Sequence, residues 1–331
     1  MLALGAGFSV LFLWLAVRGT DFQAIGSALL RADFAHAAPF LLALFAFYWL
    51  KSVRWADLLA PAATVRASGM FPIIMIGYAG TAVLPMQMGE FVRAFIAGRK
   101  YDLPYALVLG SIGMERVFDL MTIVALMGVI LASGQAIPPL LNTAGYAISA
   151  AAVAGFLLAI VFALRGPQLV GRLGRIFRWM PESPRTALLD QLENVARGFE
   201  SIRHPARLIR IVLNSLVQWV FMGVCVYLSL AALDIQIPVA GIALVLLATV
   251  IGISLPTSPG YIGNIQLAFT LALQPFGVAA DEALAASVFY HVIAYASVVV
   301  VGFLFLHRMG YGMMELSKKA QSNSVEKQEI E

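Results

Sequence analysis

Glu90, Arg93, Glu115, Arg116 and Asp119 stand inside stretches so apolar that an ionisable side chain needs a reason to be there. At the centre of a membrane helix each costs about 2.5–3.5 kcal/mol on an insertion scale, so each must face a partner, water or a ligand. Their spacing permits pairing. Glu90 and Arg93 are three residues apart, as are Arg116 and Asp119, while Glu115 and Asp119 are four apart and share a helix face. Such a set can close into a structural ion network, hold an anion on its arginines, or hold a divalent cation on its acids. Metal-assisted phosphoryl transfer is the weakest of these, because no nucleophile–base pair or aspartate-rich motif accompanies the acids. A purely structural network gains little over apolar packing, since desolvation consumes most of the Coulomb energy. Anion binding is therefore the leading chemistry.

The elements that must position these charges are membrane helices. Of 331 residues, 61% are hydrophobic and 12% charged, against about a quarter charged in soluble domains. The mean hydropathy is +0.87. Apolar segments cover residues 2–17, 35–50, 69–88, 104–132, 144–164, 211–233, 239–255, 260–276 and 283–306. Runs of this length are too continuous for barrel strands, and lipid leaves no partner for unpaired backbone groups, so they are helices. The first lacks a basic flank and a small-residue cleavage site and reads as a retained span. The single cysteine, Cys225, excludes an internal disulfide, and the four histidines lack metal-ligand spacing. No cofactor and no metal are expected.

Orientation follows from Lys and Arg. Residues 165–210 hold nine arginines against Glu182, Asp190, Glu193 and Glu200, which makes this loop cytoplasmic. Lys51, Arg54, Arg66, Arg99, Lys100 and the basic tail then fall on the same side. Within the loop, Leu188, Leu192, Val195, Phe199 and Ile202 alternate at steps of four and three. Residues 184–202 thus form an amphipathic helix on the membrane surface, a cap whose arginines meet anionic headgroups.

If Arg66 and Arg99 are both cytoplasmic, the chain between them enters and leaves by one face. The returning arm, 86–98, gives only about 20 Å of helix, too short for a core of about 30 Å. A re-entrant hairpin with its tip at Pro85 and Gly89 resolves this. A second break, at residues 254–263, lies between arms whose flanks face the opposite side; two thin spans remain an alternative. Opposed broken helices in the two halves of a chain point to an inverted repeat with a site near the midplane. The arms after Gly89 and after Gly260 each aim a helix N-terminus inward, and such ends attract anions. Pro259, Gly260, Gly263 and Asn264 would serve the second site, with His291 a weaker candidate.

At these residues the sequence resembles the flippase-like integral membrane family found at the N-terminus of lysylphosphatidylglycerol synthases, the multiple peptide resistance factors. The motifs are LPMQMGEFVRA at 84–94, MERVFDL at 114–120, and LPTSPGYIGNIQLAF at 255–269, followed by Gly277-Val278 and a last span with Tyr290. The resemblance implies movement of a charged phospholipid or related lipid between leaflets. It further implies a stand-alone member without the synthase domain, whose lipid is made by a separate enzyme. Hopanoid and polyprenyl-glycolipid contexts leave the lipid open. Gln87, Gln266 and His291 stand where the family commonly holds acids or bases, which suggests a headgroup other than lysylphosphatidylglycerol.

The expectation is an all-α polytopic membrane protein, with about six full spans and two opposed re-entrant hairpins. Residues 1–310 form one transmembrane domain and 311–331 a disordered cytoplasmic tail. The lipid headgroup would meet Glu90, Arg93, Glu115, Arg116, Asp119, Gly89, Pro259, Gly260, Gly263, Asn264 and His291. The setting is a bacterial cytoplasmic membrane, with the C-terminus inside. Expected partners are a membrane lipid, anionic headgroups at the loop and a lipid-biosynthetic enzyme, with no nucleic acid; self-association is open. The protein is expected not to be an enzyme, the alternative to transport being an accessory of a lipid, hopanoid or glycolipid biosynthetic enzyme. With no nucleotide-binding motif, transport would run on a gradient, a potential or the lipid's own concentration difference.

Overall fold

The computed structural model describes Trp14 and residues 22–84, 87–254 and 259–310. Among them the regular structure is helical: α1 (Phe22–Arg31), α2 (Ala37–Leu59), α3 (Ala67–Val83), α4 (Gly89–Tyr101), α5 (Tyr105–Ala132), α6 (Pro139–Ile176), α7 (Glu182–Arg197), α8 (Pro205–Ala231), α9 (Val239–Ser254), α10 (Asn264–Leu273) and α11 (Ala280–Arg308). The expected first span, the Pro85 tip and the tail lie outside the described residues.

Among the described residues, four segments are long and apolar enough to cross a membrane: Phe34–Leu59, Pro139–Gly166, Pro205–Ala231 and Ala280–Arg308. Helix α5 has the length, 28 residues, but carries Glu115, Arg116 and Asp119 near its middle. Helices α2 and α8 pack antiparallel. At one end Arg210 Nη2 meets Asp57 Oδ1 at 2.9 Å, and at the other Asp33 N donates to Ala232 O at 2.8 Å.

Helices α3 and α4 form the first hairpin. At its open end Lys100 Nζ donates to Gly69 O at 2.9 Å, which ties the last turn of α4 to the first turn of α3. Nearer the tip, glycines let the backbones touch. A Cβ on Gly89 would lie 1.9 Å from Gly77 O and 2.4 Å from Thr81 N. Asp102, in the left-handed region at φ 51°, ends α4, and Pro104 opens α5. Helices α9 and α10 form the second hairpin, with Gly252 beside Asn264 near the tip and Gly241 beside Phe276 at the open end. Its returning arm is a ten-residue helix followed by a 3-10 turn, Gln274–Phe276. The 13 residues of α4 give about 20 Å and the ten of α10 about 15 Å.

The hairpins enter the bundle from opposite ends. The first opens at the end holding Leu59 and the start of α5; the second opens beside the end of α8 and the start of α11. Their tips abut. Gly260, at φ 74°, faces Ala82 O, and Gln87 Nε2 lies 3.5 Å from Ile253 O.

Helix α6 is 38 residues long, about 57 Å, so it runs well past the span end expected at 164 and carries Arg165, Arg172 and Arg175 beyond the apolar zone. The expected amphipathic helix is α7, shorter at Arg197 and followed by a 3-10 turn at Glu200–Arg203. It packs against α5 and α6. A Cβ on Gly198 would lie 2.6 Å from Leu107 O, and one on Gly110 2.5 Å from Val195 O, so α7 and α5 approach backbone to backbone.

Candidate functional site

The five charges singled out in the sequence meet, and two further cations join them. Glu115 Oε2 pairs with Arg93 Nη1 at 3.0 Å, and its Oε1 with Lys51 Nζ at 3.0 Å and Arg54 Nη2 at 3.4 Å. Asp119 holds Lys51 Nζ at 3.0 Å and Arg54 Nη2 at 2.6 Å. Arg116 pairs with Glu90. The pairs thus form between elements, α5 to α2 and α4, rather than within one helix at the spacings of three and four. Lys51 and Arg54, read from sequence as cytoplasmic flanks, are 3% and 0% exposed. This corrects their placement. The helix does not end with the apolar run at Leu50; Trp55, Leu58 and Leu59 continue its buried face for two more turns.

With Lys51 and Arg54 included, three carboxylates meet four cations, a net charge of +1. Several neighbours help bury this excess. Arg54 Nη1 donates to Ser215 Oγ at 3.0 Å. The Arg93 guanidinium stacks 5.0 Å from the Trp55 ring centroid, and Trp55 Nε1 donates to Ser111 Oγ at 3.0 Å. Lys51 Nζ lies 5.3 Å from the Phe47 ring centroid and 5.6 Å from that of Tyr78. Cation–π contact offsets part of the lost hydration.

Beside this cluster, where the two hairpin tips meet, is a cavity of about 360 Å³. Lys51, Arg116 and Asp119 form its charged wall. Tyr48, Tyr78, Tyr261, Tyr290 and Tyr295 also line it, together with Gln87 from the first tip and Ser254 from the second hairpin. Leu44, Phe47, Trp219, Met222, Leu246 and Val298 supply apolar surface. This combination suits an amphiphile with an anionic group.

Of the residues singled out in the sequence, Arg116 and Asp119 line the cavity. Glu115, Arg93 and Glu90 stand behind it in the ion cluster, and Arg93 does not reach its surface. Gly89 is a contact between α3 and α4. The second break is organised differently: Gly263 N donates to Gln266 Oε1 at 2.8 Å, so the start of α10 is closed by its own side chain. Asn264 Nδ2 donates to Gly252 O at 2.6 Å and locks α10 to α9. Pro259 and Gly260 form the turn that meets Ala82. His291 Nδ1 lies 3.0 Å from Gln266 Nε2, in a separate shallow groove. It supports the cap and is not part of the charge cluster. Gln266→Ala is expected to lower stability by about 1 kcal/mol through the lost cap, measured by unfolding in detergent. The double variant Gln266→Ala/His291→Ala should cost less than the sum of the two single changes, because they share one hydrogen bond.

A family model described as the lysylphosphatidylglycerol synthase TM region matches residues 2–302. The chain belongs to that family. It is a multi-pass membrane protein, with the motif residues Glu90, Arg93, Glu115, Arg116 and Asp119 gathered beside one cavity. The chain is also similar to a glycosyltransferase, AglD, of Haloferax volcanii, at 28% identity over 286 residues, covering 76% of this chain and 45% of the relative. It therefore spans less than half the length of that relative. No solved structure matches it.

Proposed function

We propose that this protein carries a phosphate-bearing lipid between the two leaflets of a membrane and does no covalent chemistry on it. The observation that carries the reading is the cavity at the meeting of the hairpin tips, with Lys51 and Arg116 on its wall. The hairpins act as re-entrant elements: their short arms, α4 and α10, cannot cross a core of about 30 Å, and their tips meet midway. A headgroup placed there is equally far from both leaflets, and movement of either tip opens a path to one side. Two cations on the wall offer a phosphate charge-assisted contacts, and the neighbouring apolar surface suits lipid chains. The nine arginines of the segment from Arg165 to Arg210 support a cytoplasmic location for that end of the bundle and for the C-terminus. A family of lipid-synthase membrane regions and a relative named as a glycosyltransferase are consistent with a lipid substrate.

Leaflet exchange of labelled anionic phospholipid in proteoliposomes tests this. Arg116→Gln should slow exchange by about tenfold or more, the worth of one charge-assisted hydrogen bond. Arg93→Gln should act through cluster stability and change the unfolding midpoint as well. Exchange at the wild-type rate in a well-folded Arg116→Gln protein would remove the cavity wall from the mechanism.

Similarity to a relative named as a glycosyltransferase favours a second reading, in which the chain presents lipid to an enzyme. In that case removing the arginines of α7 would abolish function, and Arg116→Gln would not.

A further inference from the structure

The charge balance and the tyrosines of the cavity narrow the headgroup. An ammonium entering the cavity would need an anionic surplus around it. Among the described residues the cluster instead carries a net +1. Among the described residues of the wall the one carboxylate is Asp119, which bridges Lys51 and Arg54, and Glu115 is 1% exposed and held by three cations. Glu90 is taken by Arg116. The tip residues at 85–86 and 255–258 contain no acid. An added cation would instead meet Lys51 and Arg116, which is an unpaired like-charge contact in a poorly hydrated site.

The hydroxyls tell the complementary story. Tyr290 Oη contacts Met222 Sδ at 3.0 Å. For Tyr48, Tyr78, Tyr261 and Tyr295, no side-chain hydrogen-bond partner occurs among the described residues, although all four line the cavity. They lie within electrostatic reach of one another around Tyr295. Four phenol donors converging on a shared space are costly unless something polar occupies it. Water can do so, and so can a ligand rich in hydroxyls. Gln87 adds an amide to the same wall. About 360 Å³ is at the small end for ligand sites and suits a headgroup whose chains remain outside.

We propose that the cavity selects a lipid phosphate with an uncharged polyhydroxy headgroup, a polyol or glycosyl phosphate, and rejects aminoacylated or other cationic headgroups, an inference that rests on the lipid-carrier reading. The phosphate sits at Lys51 and Arg116, and the headgroup hydroxyls exchange hydrogen bonds with the tyrosines.

Calorimetric titration of the full chain in detergent with short-chain lipids tests it. The probes are dihexanoyl phosphatidylglycerol, phosphatidylinositol, phosphatidic acid, lysylphosphatidylglycerol and phosphatidylcholine. Phosphatidylglycerol or phosphatidylinositol should bind at least about tenfold more tightly than the lysylated lipid and phosphatidylcholine, and more tightly than phosphatidic acid, by the worth of one or two hydrogen bonds. The stronger of the two separates an open polyol from a ring headgroup. In Tyr78→Phe/Tyr295→Phe the advantage over phosphatidic acid should vanish while phosphatidic acid binding is kept. Equal binding of the lysylated lipid, an unchanged preference in the tyrosine variant, or no binding by any probe overturns the proposal. A clear preference without leaflet exchange would instead overturn transport and leave the headgroup assignment standing.

Discussion

Asp119→Ala is expected to destabilise the protein by about 3–5 kcal/mol, because it strands two buried cations at once. Lys51 and Arg54 are 3% and 0% exposed, and both lean on Asp119, at 3.0 and 2.6 Å. Glu115 cannot take over, since it already balances Arg93 as well. Denaturant unfolding in detergent measures the loss. Replacing the charges together, as Lys51→Met/Arg54→Met/Asp119→Leu, should recover most of it, since similar-sized apolar groups remove the desolvation cost along with the attraction. That triple variant separates the two roles of the cluster. It should fold, yet exchange lipid more slowly for want of Lys51 on the cavity wall. An Asp119→Ala protein within about 1 kcal/mol of wild type would mean that the cluster is hydrated and the pairs weak.

Gly89→Ala is the second large effect. The added methyl would lie 1.9 Å from Gly77 O and 2.4 Å from Thr81 N. These are backbone atoms, so no rotamer change relieves the clash and α4 must move off α3. Overpacking of this kind costs about 1–3 kcal/mol or more. Its reach is longer than its size, because the displaced arm carries Glu90 and Arg93 and ends at the tip where Ala82 meets Gly260. Leaflet exchange should therefore fall further than stability does. Gly128→Ala is the control. Nothing lies within 4 Å of a Cβ there, so it should be neutral or stabilising by up to about 1 kcal/mol through helix propensity. Equal behaviour of the two variants would show that the tight seam of the first hairpin is unimportant.

The helical membrane class was legible in composition, and the short arm 86–98 between two basic flanks was enough to suggest the first hairpin. The gathering of Glu90 and Arg93 with Glu115, Arg116 and Asp119 followed from the cost of leaving any of them in lipid. Lys51 and Arg54 were misplaced because a charge at the end of an apolar run looks like a flank. The distinguishing signal was further along: Trp55, Leu58 and Leu59 keep the same buried face, which a true flank would abandon. At the second break, glycines beside a helix start suggested an anion site. Sequence could not show that Gln266 turns back onto Gly263 and that His291 holds it there, because that depends on side-chain direction and on a helix 25 residues away. Nor could it bring five tyrosines from α2, α3, the second tip and α11 to one cavity. Such convergence is a property of tertiary packing and has no local spacing.

The chain order of the ion cluster bears on how the protein is made. Helix α5 alone carries Glu115, Arg116 and Asp119, each adverse to a lone segment leaving the translocation machinery by about 2.5–3.5 kcal/mol. Every ionic partner in the cluster, Lys51, Arg54, Glu90 and Arg93, lies earlier in the chain. By the time α5 is synthesised, its counter-charges are already available, and it can enter the bilayer against a prepared surface. The sequence of synthesis thus runs in the direction that electrostatics requires, and a permuted gene presenting α5 first would meet the full cost of insertion alone.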